Sequence, residues 1–252
     1  MAPEVRVLDN ANAVAHAAAG EFYRRAEAAV AERGRFAVVL SGGSTPRLLF
    51  RELASATSGE HQWDQVHLFW GDERTVPPDH PESNFGMAQL ELLSRVPVPA
   101  CNIHRMRGED PNPAAAAVTY ETELRRFFDL RAGQLPRFDL VFLGMGADGH
   151  TASLFPDSEA LTEPERLVVA PWVARIKTRR LTLTARALNH AACVVFLVSG
   201  EDKAAILQRV LEGPSHPLKL PSQLVAPGDG ELVWLVDTAA ARLLSTRLLQ
   251  RT

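Results

Sequence analysis

The sequence predicts an α/β fold: a mainly parallel open sheet with helices on both faces, in one domain over residues 1–252. Three observations predict it. Short β-branched and aromatic runs alternate with helical stretches along the chain. A length of 252 residues, 46% of them hydrophobic, is enough to bury one large core. Polar motifs, several of them glycine-bearing, follow the ends of apolar runs, which is where ligands lie in open sheets of this kind.

"EVRVL" opens the chain as a strand, and "ANAVAHAAAGEFYRRAEAAVAER" follows as a long Ala-rich helix stopped by Gly34. "RFAVVLSGG" reads as a buried strand. Thr45 then caps a helix with Pro46 at its first position, where a missing N–H costs nothing. "VHLFWGD" is the next strand, "NFGMAQLELLSRV" a helix, "NIHRM" a short strand and "NPAAAAVTYETELRRFFDL" a helix. Beyond these, "FDLVFLG", "RLVVA", "RRLTLT", "ACVVFLVSG" and "ELVWLVD" read as strands, with helices at "DKAAILQRVLEG" and "TAAARLLSTRLLQ". "RRLTLT" is expected to pair antiparallel, because little chain separates it from its neighbours. No internal repeat or linker interrupts the series. "VPPDHPESN" and "EGPSHPLKLPSQ" are short enough to be loops over a site.

The formal charge of −3 and the scattered arginines give no basic face, so nucleic acid is not an expected partner. Pairs such as Arg24-Arg25 and Arg125-Arg126 read as solvated helix surface. No run approaches 18 apolar residues and the N-terminus lacks the pattern of a secretory leader, so a soluble, cytoplasmic protein away from membranes is expected. Cys101 and Cys193 lack metal-ligand spacing and read as reduced thiols; His16, His61 and His67 read as ordinary surface or half-buried residues.

Four polar motifs carry the chemistry. "SGGSTP", Ser41 to Pro46, joins a strand to a helix start, so backbone N–H groups and the helix dipole converge there. That suits a phosphate, but without Gly-Lys-Ser/Thr it gives no reason to infer ATP or magnesium. "WGDERTVPPDHPESN" sets Asp72, Glu73 and Arg74 at a strand's carboxyl end, where Arg74 supplies a fixed cation and Asp72 a carboxylate to orient a neighbour. "GMGADGH" flanks Gly149 with Asp148 and His150. Histidine can take a proton from water near neutral pH, while a carboxylate fixes its tautomer. "SGEDK" places Lys203 in the first turn of a helix, an unfavourable place for a cation unless an anion is shared. Arg179 and Arg180 open "RRLTLT" as a further source of positive charge. Gly144, Gly146 and Gly149 match G-x-G-x-x-G, yet Pro156 cuts short any following helix and the residues near Val168 are apolar, so a dinucleotide site is rejected. No spacing suggests a metal, and no G-x-S-x-G suggests an acyl-enzyme.

Taken together, "LSGGSTP", "WGDERTVPPDHPESN", "GMGADGHTASLFP", "RRLTLT" and "SGEDK" resemble the 6-phosphogluconolactonase family, in this order and over almost the whole chain. Wider relatives, among them glucosamine-6-phosphate deaminase and ribose-5-phosphate isomerase, share the open sheet that the resemblance implies. In the deaminase the tail after the histidine is polar and acidic; here it is Ala152-Ser153-Leu154-Phe155-Pro156, which favours the lactonase. The resemblance implies hydrolysis of 6-phospho-D-glucono-1,5-lactone in the oxidative pentose phosphate pathway, with no cofactor, by a monomer whose partner is the sugar-phosphate lactone. It assigns His150 as general base, Asp148 or Asp72 as its orienting acid, and Arg74 as charge stabiliser at the lactone, with a grip on the phosphate as the alternative for Arg74. Gly42, Gly43, Ser44 and Thr45, with Arg180 and Lys203, resemble the family's phosphate site; Arg179 could exchange roles with Arg180. "ARIKT" stands where the family is usually proline-rich. The alternatives are an amino-sugar-phosphate deaminase or isomerase, and a non-catalytic sugar-phosphate sensor.

Overall fold

A computed structural model describes residues 3–55 and 63–249; His61 lies outside them. The elements run β1 Glu4–Leu8, α1 Ala11–Arg33, β2 Phe36–Leu40, α2 Ser44–Ser55, β3 Val66–Trp70, β4 Asp72–Arg74, α3 Asn84–Ala88, β5 Ile103–His104, α4 Pro113–Phe127 and β6 Leu140–Gly144. They continue with β7 Val168–Val169, β8 Trp172–Val173, β9 Thr178–Leu183, α5 Ala185–Leu188, β10 Cys193–Val198, α6 Ala204–Glu212, β11 Glu231–Asp237, α7 Thr238–Ala241 and α8 Thr246–Leu249.

Seven strands form one parallel sheet in the order β1-β11-β10-β6-β2-β3-β5. β2 and β10 are buried at every position, which is why they read as unbroken apolar runs rather than alternating ones. The chain moves one way along the sheet through β2, β3 and β5, then the other way through β6, β10 and β11. With right-handed crossovers, α1 and α2 cover one face and α4 and α6 the other. The reversal opens a crevice beyond the carboxyl ends of β2 and β6.

A small antiparallel sheet, β4-β9-β7 with β8 also on β9, caps that end. Gly71 divides it from the main sheet: its N–H donates to Leu40 O while its own carbonyl accepts from the Leu183 N–H. "VHLFWGD" is therefore two strands in two sheets, a break that period-two patterning cannot register because both pieces are largely buried.

Several expected elements change at their ends. α2 begins at Ser44, and the Arg47 N–H donates to Gly43 O, so Gly43 rather than Thr45 holds the cap position. Its φ of 113° is tolerated by glycine alone, and Pro46 falls at the third position, where its N–H would still have lacked a helical partner. The "NFGMAQLELLSRV" helix widens after Ala88 into a turn of π-helix over Gln89–Leu93. "TAAARLLSTRLLQ" breaks between α7 and α8. Lys203 ends a 3₁₀ turn just before α6 instead of lying in its first turn. Arg25 is also not free surface: its guanidinium bonds Glu21 one turn back and Glu231 at the start of β11. Arg125 likewise bonds Glu121.

Candidate active site

The crevice at the reversal is lined by the loop after β2, the loop after β6, the end of β10, Asp72, Arg74 and Lys203. Each wall follows from local chain chemistry. Gly42 is required because a Cβ there would meet Asn84 Oδ1 at 1.8 Å, and Gly43 because of its positive φ. The N–H groups of Gly42, Gly43, Ser44 and Thr45 have no backbone or side-chain acceptor among the described residues. At the start of a 12-residue helix, these donors suit an anion.

On the opposite wall, the turn after β6 folds back so that Gly146 N–H donates to His150 O, at 2.8 Å. A Cβ on Gly146 would meet the imidazole at 2.0 Å, so glycine is what allows the ring to lie over the turn. His150 Nδ1 lies 2.5 Å from Asp148 Oδ1, and Phe155 stacks on the imidazole at 4.2 Å between centroids. Burial would raise the Asp148 carboxyl, but the hydrogen bonds from His150 and the charge of Arg175 hold it well below the usual carboxylate range. With Nδ1–H donated to that ionised carboxylate, the free lone pair belongs to Nε2, which has no hydrogen-bond partner among the described residues. His150 itself lines the crevice; Asp148 stands behind it.

Asp72 does not touch His150. Its buried carboxylate accepts from Ser153 Oγ at 2.7 Å, and its backbone carbonyl accepts from Asn84 Nδ2 at 2.9 Å. It thereby fastens the loop that carries His150, and α3, to β4. Of the two carboxylates weighed for orienting the imidazole, Asp148 is the one in contact. Ala152, between these anchors, lines the crevice at φ 46°, a left-handed conformation uncommon for a residue with a Cβ.

The arginine doublet separates. In β9, Arg180 lies in register with Arg74 of β4. Burial, together with the Arg74 charge, lowers the Arg180 guanidinium from its ordinary value. Among the described residues neither arginine has a carboxylate within salt-bridge distance, and Arg74 instead donates to Glu82 O. Two adjacent, unneutralised guanidiniums disfavour each other until an anion joins them. Arg179 points away. It donates to Ala170 O and lines a different cleft beside α4, so alternation along β9 turns it to the side opposite Arg180. Lys203 lines the crevice, and among the described residues its only ionic partner is the exposed, adjacent Asp202, at 3.3 Å.

Sequence reasoning missed four residues. Glu73, buried, accepts from the N–H groups of Arg74, Asn84 and Phe85 and from Ser83 Oγ, so it ties β4 to the start of α3. Asn84, Ser153 and Arg175 act through partners distant in the chain. Asn84 and Ser153 are buried and lie within two of the quoted motifs, but nothing local in those motifs marks the partners they meet.

The model of a family described as glucosamine-6-phosphate isomerases/6-phosphogluconolactonase matches residues 9–234. The chain is similar to a 6-phosphogluconolactonase of Synechocystis, 43% identical over 97% of this chain and 99% of that one. The crystal structure of a 6-phosphogluconolactonase from Thermotoga maritima superposes with a TM-score of 0.80 at 32% identity, covering 94% of this chain and all of that one (100%). A monomeric glucosamine-6-phosphate deaminase, at 19% identity over 95% of this chain and 99% of that one, superposes with a TM-score of 0.79, which extends the shared open-sheet fold to the deaminases. With a model spanning most of its length and relatives of this similarity, the chain belongs to the 6-phosphogluconolactonase family.

Proposed function

We propose that the chain, acting as one domain, hydrolyses 6-phospho-D-glucono-1,5-lactone to 6-phospho-D-gluconate in the oxidative pentose phosphate pathway, with His150 as general base. The observation that carries the mechanism is the imidazole whose Nδ1 is held by Asp148 while Nε2 has no partner among the described residues, in a crevice shared with the backbone anion donors of Gly42 to Thr45. The substrate phosphate rests on the Gly42–Thr45 N–H groups, with Lys203 and Arg180 supplying charge. That fixed tail presents the lactone carbonyl to a water beside His150. Nε2 takes the water's proton as oxygen bonds to the carbonyl carbon, and Arg74 stabilises the oxyanion. Collapse of the tetrahedral intermediate breaks the bond to the ring oxygen, which receives the proton from the imidazolium. The new carboxylic acid then ionises. Water is the only second reactant, so the reading needs no cofactor.

Phe155 supports the lactonase over a deaminase, because it packs a ring against His150 where ring opening of an amino sugar would call for an acid. Among the described residues no helix is long and apolar enough to cross a membrane. A cytoplasmic monomer acting on a free metabolite accords with this reading.

The test generates the lactone in place with glucose-6-phosphate dehydrogenase and measures its disappearance above a buffer blank, since the lactone also opens unaided. Hydrolysis well above the blank, with no ammonia from glucosamine 6-phosphate, is expected. Ammonia release would instead support the deaminase, and saturable lactone binding without turnover would support a sensor.

A further inference from the structure

We infer that Arg175 is a positioning residue for the base, holding Asp148 in the orientation that keeps His150 Nε2 directed at the crevice. The inference rests on the lactonase reading above. Arg175 Nη1 donates to Asp148 Oδ2 at 2.5 Å, while Asp148 Oδ1 faces His150 Nδ1 at the same 2.5 Å. Each carboxylate oxygen thus has its own partner, and rotating the carboxylate would break both bonds at once. The three side chains form a line, Arg175-Asp148-His150, in which the cation is the outermost member.

The placement of Arg175 is not explained by packing. Its side chain is 67% exposed, and its partner lies 27 residues away in the sequence. The turn that carries it, Ala174–Ile176, is closed without it, by the Lys177 N–H donating to Ala174 O with Lys177 at φ 48°. Exposed ion pairs add little to stability, so a variant here should still fold. The turn also joins β8 to β9, and β9 carries Arg180. The base's outer support and an anion-binding arginine therefore belong to one hairpin, which makes the base sensitive to how that hairpin is seated.

The charge argument has a definite sign. The groups facing His150 are Asp148 on its own loop, Arg175 from the hairpin turn, and Asp72, Arg74 and Lys203, which line the same crevice. Arg175 partly offsets Asp148, so removing it leaves an imidazolium more strongly favoured. Since the base must be neutral to act, the acid limb of the kcat/KM profile should move to higher pH.

The experiment compares the wild type with Arg175→Gln and Arg175→Lys over pH 5.5 to 8.5, using lactone generated in place. Arg175→Gln should move the acid limb upward by about half a unit and lower kcat by up to about 3-fold near pH 6, with a smaller loss near pH 8 and little change in KM. Arg175→Lys should restore most of the limb because it keeps the charge. An unchanged limb in folded Arg175→Gln would overturn the inference. So would a uniform loss dominated by a rise in KM, which would place Arg175 on the substrate instead. A proton NMR titration of the His150 ring in the same variants reads the charge effect without substrate. An upward shift there would support the role of Arg175 even if wild-type lactone hydrolysis failed and with it the functional reading.

Discussion

Two of the histidine–carboxylate pairs among the described residues share nearly the same geometry, including a ring stacked on a phenylalanine, and sit in opposite surroundings. In the crevice, His150 Nδ1 meets Asp148 at 2.5 Å and its ring stacks on Phe155 at 4.2 Å. At the sheet edge, His104 of β5 meets Glu123 of α4 at 2.6 Å through the same nitrogen, and its ring stacks on Phe69 at 4.2 Å. The difference is the second nitrogen. His104 Nε2 faces His67 Nδ1 at 3.2 Å, whereas His150 Nε2 has no partner among the described residues. The His104 side chain is 9% exposed and that of His150 is 29%. A carboxylate-held imidazole with both nitrogens satisfied is a structural strut, whereas one whose second nitrogen is left to a crevice can accept a proton, the role proposed for His150.

Removing each carboxylate should separate the two uses. Asp148→Asn is expected to lower kcat by about 10²-fold, because an amide no longer fixes the tautomer that leaves Nε2 free to accept. Glu123→Gln should leave kcat unchanged; equal losses in both variants would erase the distinction. The next effect lies in binding. Lys203→Ala is expected to raise KM about 10-fold with kcat nearly intact, since the phosphate grip is shared by ground and transition states. A kcat loss with unchanged KM would move Lys203 to the reacting end. On the structural side, Glu123→Gln should cost about 1 kcal/mol of stability in urea unfolding, the worth of one partly buried hydrogen bond.

The smallest expected effect is a pH dependence at the edge. Burial, and secondarily the neighbouring His104, lowers His67 to about 4. Below its ordinary value the unfolded chain therefore binds this proton first, and stability should decline as pH falls from about 6.5 toward 4, levelling off below. Solvent screening of the half-exposed ring trims the size of the decline. In His67→Phe the urea midpoint should vary less over that window. An equal slope in both proteins would show that His67 is not its source.

What the sequence made legible follows the same division between local and distant causes. The parallel sheet was readable because β2, β6, β10 and β11 are short apolar runs of strand length, and Gly34 was readable as a stop because its left-handed φ of 70° is a local demand. The contact between Asp148 and His150 was readable because the two are neighbours on one turn. Asp72 misled for the opposite reason: its partner Ser153 is 81 residues away, and no local pattern announces the bond. Arg179 and Arg180 could not be told apart until pairing with β4 set Arg180 opposite Arg74 and left Arg179 to bond Ala170 O. Arg175 escaped altogether, since its contact with Asp148 exists only once the hairpin brings the two together.

The most direct test of the central claim is the turnover of folded His150→Ala at saturating lactone, measured above the uncatalysed blank. A fall of about 10²-fold or more with KM little changed is the result this account predicts. Turnover close to that of the wild type would contradict it and remove the imidazole from the reaction.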